Sequence, residues 1–161
     1  MVARTLRAPT RRAATPPHWP RMLETLASPE AGLFGLFASA FLAATLLPGG
    51  SEIAFLAYVN WQPGSGGLAL FVATLGNTLG GLTSVWLGRR LPEAPAGHHF
   101  PRLDRWMQRH GALSLILSWL PVVGDALCVL AGWRRVPWLP AAAWMGLGKG
   151  LRYLALLLLV A

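Results

Sequence analysis

Four ionisable side chains lie inside the apolar segments of this 161-residue sequence, and they are the residues best placed to do chemistry. They are two acids and two bases: Glu52, Asp125, Lys149 and Arg152. An unpaired charge at the centre of a lipid bilayer costs about 2.5–3.5 kcal/mol. We therefore expect the four side chains to face one another across a shared polar cavity, where they could exchange protons and bind an anionic group.

The two acids share a local pattern. Each acid follows a proline by four residues, in "PGGSE" and in "PVVGD", and the two copies are 73 residues apart. Proline lacks an amide hydrogen and glycine tolerates positive φ, so both apolar segments should break at these points. The alternative role for each acid is to cap the helix that follows the break, with Ser51 assisting as an N-cap. The expected break residues are Pro48, Gly49, Gly50, Pro121 and Gly124.

Composition indicates that lipid is the main solvent of this chain. Hydrophobic residues make up 54% of the sequence and charged residues 12%, about half the charged fraction of a soluble domain. The net charge is +8, but the arginines lie in short gaps between apolar runs, which is typical of membrane topology signals and not of a nucleic-acid-binding face. Catalytic triads, metal-ligand spacings and phosphate-binding loops are not found, so we expect no enzyme, cofactor or metal site.

The apolar runs divide the chain into a tail and one membrane domain. Residues 1–30 are basic and proline-rich, and we expect them to be disordered or not translated. The single membrane domain, 31–161, follows. Its predicted elements are a broken segment at 31–60, a spanning helix at 66–88, a polar loop with an interfacial helix at 89–111, a second broken segment at 112–132, and a second spanning helix at 138–161.

The broken segments predict an all-α fold with two re-entrant hairpins. The nine residues 112–120 would make about 13 Å of α-helix, roughly half the thickness of the hydrocarbon core, so the chain could enter the membrane halfway and return. A kinked single span is the alternative. Two hairpins, each followed by a spanning helix, would form an inverted repeat of the kind found in secondary transporters.

Small residues in the spanning segments predict close helix packing. The stretch "GNTLGG" contains a GxxxG pattern, for which packing is the main interpretation and Asn77 is a candidate pocket residue. In the last segment, Gly146, Gly148 and Gly150 flank Lys149 and would let another backbone approach.

The arginine distribution predicts the orientation. The arginines of 89–109 and of 134–135 should face the cytoplasm. Two re-entrant hairpins would then leave the N-terminus outside, which conflicts with the five arginines before residue 22. Either the first segment spans fully, or translation begins at Met22.

Four motifs resemble a known family: "LFGLFASAFLAATLLPGGSE", "TLGNTLGGLTSVWLGR", "LSWLPVVGDALCVLAGW" and "GLGKGLRY". In this order they resemble the YqaA-type branch of the DedA family of bacterial inner-membrane proteins, in the VTT-domain superfamily, over about residues 33–153. The resemblance implies two facing re-entrant hairpins, with Glu52 and Asp125 in the hairpin motifs. It also implies a role in envelope homeostasis, proton-motive force and transbilayer movement of lipids, including polyprenyl phosphates.

The chain departs from the family pattern at three positions. Gly50 stands where an acid usually follows the first Pro-Gly, and Ser118 and Gly124 stand where arginines usually flank the second hairpin proline. We infer that Lys149 and Arg152 supply the missing cations.

The expected function is that of a multi-pass protein of the bacterial inner membrane, acting as a lipid flippase or scramblase or as an ion-coupled transporter. Its expected partners are membrane lipids with anionic head groups, together with protons, and not nucleic acid. The alternative is a membrane scaffold or assembly factor whose buried charges are structural.

Overall fold

The computed structural model describes residues 28–45, 50–91 and 101–160. Every regular element in these ranges is helical, which confirms the predicted all-α class for this part of the chain. Residues 1–27, Pro48, Gly49, the loop residues 92–100 and Ala161 lie outside the described residues. In chain order the elements are α1 (Pro29–Ala43), α2 (Ser51–Trp61), α3 (Gly66–Arg90), α4 (Pro101–His110), a 3₁₀ helix (Gly111–Trp119), α5 (Val123–Trp133) and α6 (Trp138–Val160).

The helices α3 and α6 are the two long elements. They contain 25 and 23 residues and are long and apolar enough to cross a membrane. They run antiparallel: Gly66 at the start of α3 lies against Leu157 near the end of α6. At the other end, the Arg89 guanidinium donates to the carbonyl oxygen of Val136 and lies 4.1 Å from the centre of the Trp138 ring.

The short helices form two pairs. Each pair has its first and last residues at the same end of the long helices, and the two pairs have them at opposite ends. In the first pair, α1 and α2, the Tyr58 hydroxyl at the end of α2 donates to the carbonyl oxygen of Pro29 at the start of α1, over 3.4 Å. The second pair is the 3₁₀ helix and α5. It follows α4, and its last turn is tied back to α4 because Arg134 forms an ion pair with Asp104. The first and last residues of the first pair therefore lie beside Gly66, and those of the second pair lie beside Arg89.

Glycines on α3 let α1 pack against it with its backbone in near contact. An added Cβ atom on Gly76 would lie 2.6 Å from the carbonyl oxygen of Phe37, and one on Gly80 would lie 2.4 Å from that of Phe41. Both glycines belong to the predicted GxxxG pattern, and the structure places that pattern in a helix–helix contact.

The second pair approaches both long helices in the same way. An added Cβ atom would lie 2.3 Å from the Val129 carbonyl oxygen at Gly88 and 2.2 Å from the Ile116 carbonyl oxygen at Gly148. Of the three glycines around Lys149, only Gly148 makes such a contact, because the nearest atoms to Gly146 and Gly150 are 3.7 and 3.5 Å from an added Cβ atom.

The second break has a different geometry from the one predicted. Positive φ occurs at Val122 (φ 66°, ψ −52°) and not at Gly124, which lies within α5. The Val123 amide donates to the Pro121 carbonyl oxygen over 2.7 Å, so Pro121, Val122 and Val123 form a γ-turn of the strained, positive-φ kind. Gly124 is needed for space, since a Cβ atom there would lie 2.2 Å from the Ser118 carbonyl oxygen.

The arm before this break is a 3₁₀ helix and not the α-helix assumed for 112–120. Nine residues at about 2.0 Å each reach about 18 Å, farther than the predicted 13 Å but still short of the ~30 Å core. A 3₁₀ run of this length is uncommon and is often found at strained or functional positions.

The helix α4 lies across the end of the second pair. Leu103 packs against the core and Met107 is buried, whereas Trp106 is 44% exposed and stacks on His110 with ring centres 4.0 Å apart. Leu103 and Met107 therefore lie on the inner side of α4, and Trp106 lies on its outer side.

Candidate functional site

A polar cavity lies where the tips of both pairs meet the middle of α3 and α6. All four ionisable residues predicted from the sequence line it, together with both candidate pocket residues, Ser51 and Asn77. Its volume is about 40 Å³, enough for roughly three water molecules and too small for a lipid head group. Among the predicted break residues, Pro121 also lines the cavity, whereas Gly50 is the N-cap residue of α2 and Gly124 packs within the second pair.

Arg152 connects the two pairs across the cavity. Its guanidinium forms an ion pair with the Glu52 carboxylate at the start of α2. The same guanidinium donates to the carbonyl oxygen of Trp119 at the end of the 3₁₀ helix. One side chain on α6 thus holds both pairs together, and both side chains of the ion pair, Arg152 and Glu52, remain about one quarter exposed to solvent or lipid.

Lys149 lies deeper than Arg152 and has a different kind of partner. It is 4% exposed, and its Nζ atom donates to the backbone carbonyl oxygen of Asn77 over 2.6 Å. A buried ammonium group is costly unless hydrogen bonds or an opposite charge compensate it. Gly81 provides the space, because an added Cβ atom there would lie 2.9 Å from Nζ.

The Asn77 side chain joins α3 to both α2 and α6. Its Nδ2 group donates to the Tyr153 hydroxyl over 2.9 Å and to the Ser51 hydroxyl over 3.4 Å. Tyr153 is buried and packs against Phe55, with ring centres 5.1 Å apart. Packing glycines and a pocket asparagine therefore occur on the same stretch of α3.

Asp125 has no ion-pair partner within 4.0 Å among the described residues. It lies in the first turn of α5 and lines the cavity together with Lys149, so it is the acid of the cavity that has room to bind water or a cation. The predicted convergence of four charges thus resolves into one tight pair, Glu52 and Arg152, and two charges that share the cavity.

The hydrogen bonds also bear on the capping alternative. Both acids lie in first turns, as capping requires. Neither carboxylate accepts a hydrogen bond from a backbone amide within the part of the chain that the structure describes. Their interaction with the helix ends is therefore limited to the helix dipole, typically about 0.3–1 kcal/mol at a surface position.

Sequence reasoning missed two polar groups of the site. Ser118 Oγ is buried at the cavity wall and has no hydrogen-bond partner among the described residues. Tyr153 orients the Asn77 amide. Tyr153 follows Arg152 directly and could have been found as a polar aromatic beside a charged pair, whereas Ser118 was singled out only as the residue that stands where the family pattern has an arginine.

A second ionic cluster lies outside the cavity. Asp104 on α4 is 7% exposed and accepts hydrogen bonds from both Nε and Nη2 of Arg134, at 2.9 and 2.6 Å. Gln108 donates to the same carboxylate over 2.8 Å. This bidentate pair fastens α4 to α5 and leaves the remaining arginines of α4, Arg102, Arg105 and Arg109, on the outside.

Sequence comparison identifies homologues that match about three quarters of the chain. Over 123 residues the chain is 49% identical to a protein named inner membrane protein YqaA in Escherichia coli strain K12, a match that covers 76% of this chain and 87% of that protein. A protein of the same name in Shigella flexneri matches equally well. The chain belongs to the YqaA branch of the DedA family.

Other comparisons add a more distant relative. An uncharacterized protein of Haemophilus influenzae is 42% identical over 132 residues, covering 77% of this chain and 84% of that protein. Neither a family model nor a solved structure matches the chain.

The site geometry bears on how this DedA chain departs from the family pattern. At Gly124, one of the two positions where the resemblance implies an arginine, any side chain would collide with the Ser118 backbone. At the other, Ser118 offers only a hydroxyl group. The cations that line the cavity come instead from α6, at Lys149 and Arg152.

Proposed function

We propose that this chain is a multi-pass protein of the bacterial inner membrane that moves polar groups across the bilayer, as a lipid flippase or scramblase or as an ion-coupled transporter. One observation carries the proposal: Glu52, Asp125, Lys149 and Arg152 come from both pairs and from α6, yet they line a single cavity. Charges this deep in a membrane protein usually belong to a transport or proton pathway. Transport, and not chemical conversion, is the activity that such a set supports.

The two pairs are re-entrant hairpins in this proposal. The arms α2 and α5 contain 11 residues each, about 16 Å of helix, so neither can cross a ~30 Å core. Each pair begins and ends at the same end of the bundle, and the two pairs open at opposite ends. This arrangement supports an inverted repeat, in which broken-helix tips meet near the midplane.

The cavity as it stands is too small to admit a lipid head group. Its volume of about 40 Å³ admits water but not a head group, so a transport cycle must separate the two hairpins. Arg152 is the contact to break, since its guanidinium touches Glu52 in one hairpin and the Trp119 carbonyl in the other. Protonation of Glu52 would remove the ion pair, which gives a direct route for coupling to protons.

The scaffold alternative also has an observation in its favour. The pair Asp104 and Arg134 shows that this chain uses ion pairs to fasten helices. In this alternative, Glu52 and Arg152 serve only to fasten helices. Asp125 has no ion-pair partner among the described residues, so its charge would then have no function.

The test is head-group flipping in proteoliposomes. Purified protein is reconstituted with a fluorescent-head-group anionic phospholipid, and the fraction accessible to an impermeant quencher is followed over time. We expect the wild type to expose the inner-leaflet probe and Asp125→Asn to lose most of this activity while remaining folded. Glu30→Gln, at an exposed carboxylate in the first turn of α1, is the matched charge-neutralising control and should flip normally. Flipping equal to that of empty liposomes would reject the transport function, and an active Asp125→Asn variant would reject the role of its charge.

A further inference from the structure

An apolar groove on the outside of α6 adjoins the polar cavity. It is lined by Trp119, Gly148, Leu151, Arg152, Ala155 and Leu156. Its volume is about 360 Å³, within the ~300–1,000 Å³ range of small-molecule sites and about nine times that of the polar cavity. The space that could hold part of a lipid therefore lies beside the charged cavity and not within it.

Two residues, Trp119 and Arg152, line both the groove and the cavity. The remaining lining of the groove is hydrocarbon, and its wall residue Leu151 is 51% exposed, so the groove opens sideways from α6. A single cation at the boundary of an apolar groove is complementary to a molecule with one anionic group joined to a hydrocarbon chain.

We propose that this groove binds one chain of an anionic phospholipid, with the lipid phosphate on the Arg152 guanidinium in place of Glu52. The inference rests on the proposed function in one respect, that the groove faces the bilayer. It adds the place of entry and the residue that recognises the charge: lipid reaches the cavity from the side, between the 3₁₀ helix and α6. Glu52 and the phosphate then compete for one guanidinium.

The competition predicts opposite effects for the two partners of the ion pair. Glu52→Gln leaves the guanidinium without its carboxylate and should increase lipid retention. Arg152→Gln removes the binding group and should abolish the preference for anionic lipid. Because that variant leaves Glu52 without its cation and could fold poorly, the double variant Glu52→Gln/Arg152→Gln is measured with it, and the loss of preference must appear in both.

The hydrocarbon half of the site has a matched pair of variants. Ala155 lines the groove, and Ala143 is another exposed alanine on α6 that does not line it. Ala155→Phe should fill the groove, whereas Ala143→Phe adds the same side chain elsewhere on the helix.

The experiment is native mass spectrometry of the full chain released from mixed micelles with equal amounts of dioleoyl phosphatidylglycerol and dioleoyl phosphatidylcholine. We expect the wild type to retain phosphatidylglycerol with at least about tenfold preference, the factor that one charge-assisted hydrogen bond provides. Ala155→Phe should lose most of the retained lipid and Ala143→Phe should behave as wild type. Excess inorganic phosphate should not displace the lipid, because the chain contributes to its binding.

Three results would overturn the proposal that the groove binds an anionic phospholipid. They are equal retention of the two lipids by the wild type, unchanged retention in Ala155→Phe, and complete displacement of the lipid by inorganic phosphate. These outcomes are separable from failure of the proposed function. If the protein retains lipid but does not flip it, the transport function is rejected and lipid binding in the groove stands. If the protein flips lipid and Ala155→Phe retains as much lipid as the wild type, lipid binding in the groove is rejected and the transport function stands.

Discussion

Lys149 and Asn77 meet where the two long helices cross: the lysine Nζ atom donates a 2.6 Å hydrogen bond to the asparagine carbonyl oxygen, 72 positions earlier in the chain. That separation differs by one residue from the 73-residue spacing of Glu52 and Asp125. Both residues follow a glycine that packs against a short helix, Gly76 against α1 and Gly148 against the 3₁₀ helix. At the 73-residue spacing the equivalent of Asn77 is Gly150, the residue next to Lys149. Nearly equivalent positions of two halves touch one another only near a two-fold axis, so this contact supports the proposed inverted repeat.

Close backbone packing should make Gly88 sensitive to the smallest substitution. Gly88→Ala puts a Cβ atom 2.3 Å from the Val129 carbonyl oxygen, and relieving that overlap should destabilise the protein by about 1–3 kcal/mol. Gly67→Ala is the matched control in the same helix, because no atom lies within 4 Å of its added Cβ, and it should be neutral or up to ~1 kcal/mol stabilising. Thermal unfolding in detergent measures both. Equal melting temperatures for the two variants would contradict the α3–α5 contact.

The γ-turn between the 3₁₀ helix and α5 predicts a stabilising glycine. Val122 is 67% exposed and has a φ of 66°, a conformation that costs a β-branched residue about 1–3 kcal/mol. Val122→Gly should remove the strain, lose about 0.5–1 kcal/mol to the greater entropy of the unfolded chain, and stabilise the protein by up to about 2.5 kcal/mol. Val123→Gly, one residue later and inside α5, should destabilise. A lower melting temperature for Val122→Gly would show that the turn is not strained.

The charged constellation could be predicted from the sequence because charge in an apolar run is rare and costly. That energetic argument applied equally to Glu52, Asp125, Lys149 and Arg152, and the structure brings all four to one cavity. The partners within the set could not be predicted. The pairing of Arg152 with Glu52 depends on how the two pairs of short helices approach α6, which is a property of tertiary packing.

Local backbone geometry was less predictable than element positions. Gly124 was the expected site of positive φ because glycine adopts it at no cost, yet Val122 adopts it, since Gly124 is needed where the Ser118 backbone approaches. The ion pair between Asp104 and Arg134 was also not predicted from the sequence. Both residues lie in polar segments, where a sequence pattern does not distinguish a buried carboxylate from a solvated one.

The arrangement of the ends predicts a topology that labelling can test. The arginine-bearing end contains Arg89 and Arg134 together with α4, and the positive-inside rule places it in the cytoplasm. In a Cys128→Ser background, Arg109→Cys should react with an impermeant thiol reagent only after the cells are opened. Pro63→Cys, exposed in the turn between α2 and α3, should react in intact spheroplasts. Labelling of both cysteines from the same side would reject antiparallel spanning by α3 and α6.

Coupling between Asp125 and Lys149 is the sharpest test of the shared cavity. The two line one cavity without a direct ion pair, so each charge should stabilise the other across the cavity, where screening is weaker than in water. Lys149→Ala removes a buried cation that α3 helps to hold, leaves the Asn77 carbonyl oxygen without its donor and Asp125 without one of the two cations of its cavity, and should cost about 1–3 kcal/mol. Adding Asp125→Asn removes the uncompensated charge as well. We therefore expect the double variant to be more stable than Lys149→Ala alone, by at least about 1 kcal/mol.

The cycle is completed with Asp125→Asn alone and is read by thermal unfolding and by yield from the membrane. Ser118→Ala, at the same cavity wall but uncharged, is the control that should not couple to Lys149. If the effects of Lys149→Ala and Asp125→Asn on stability simply add, the two charges do not interact. Asp125 would then act only through the dipole of α5, and the cavity would be two separate polar sites, one at Glu52 and Arg152 and one at Lys149 and Asn77.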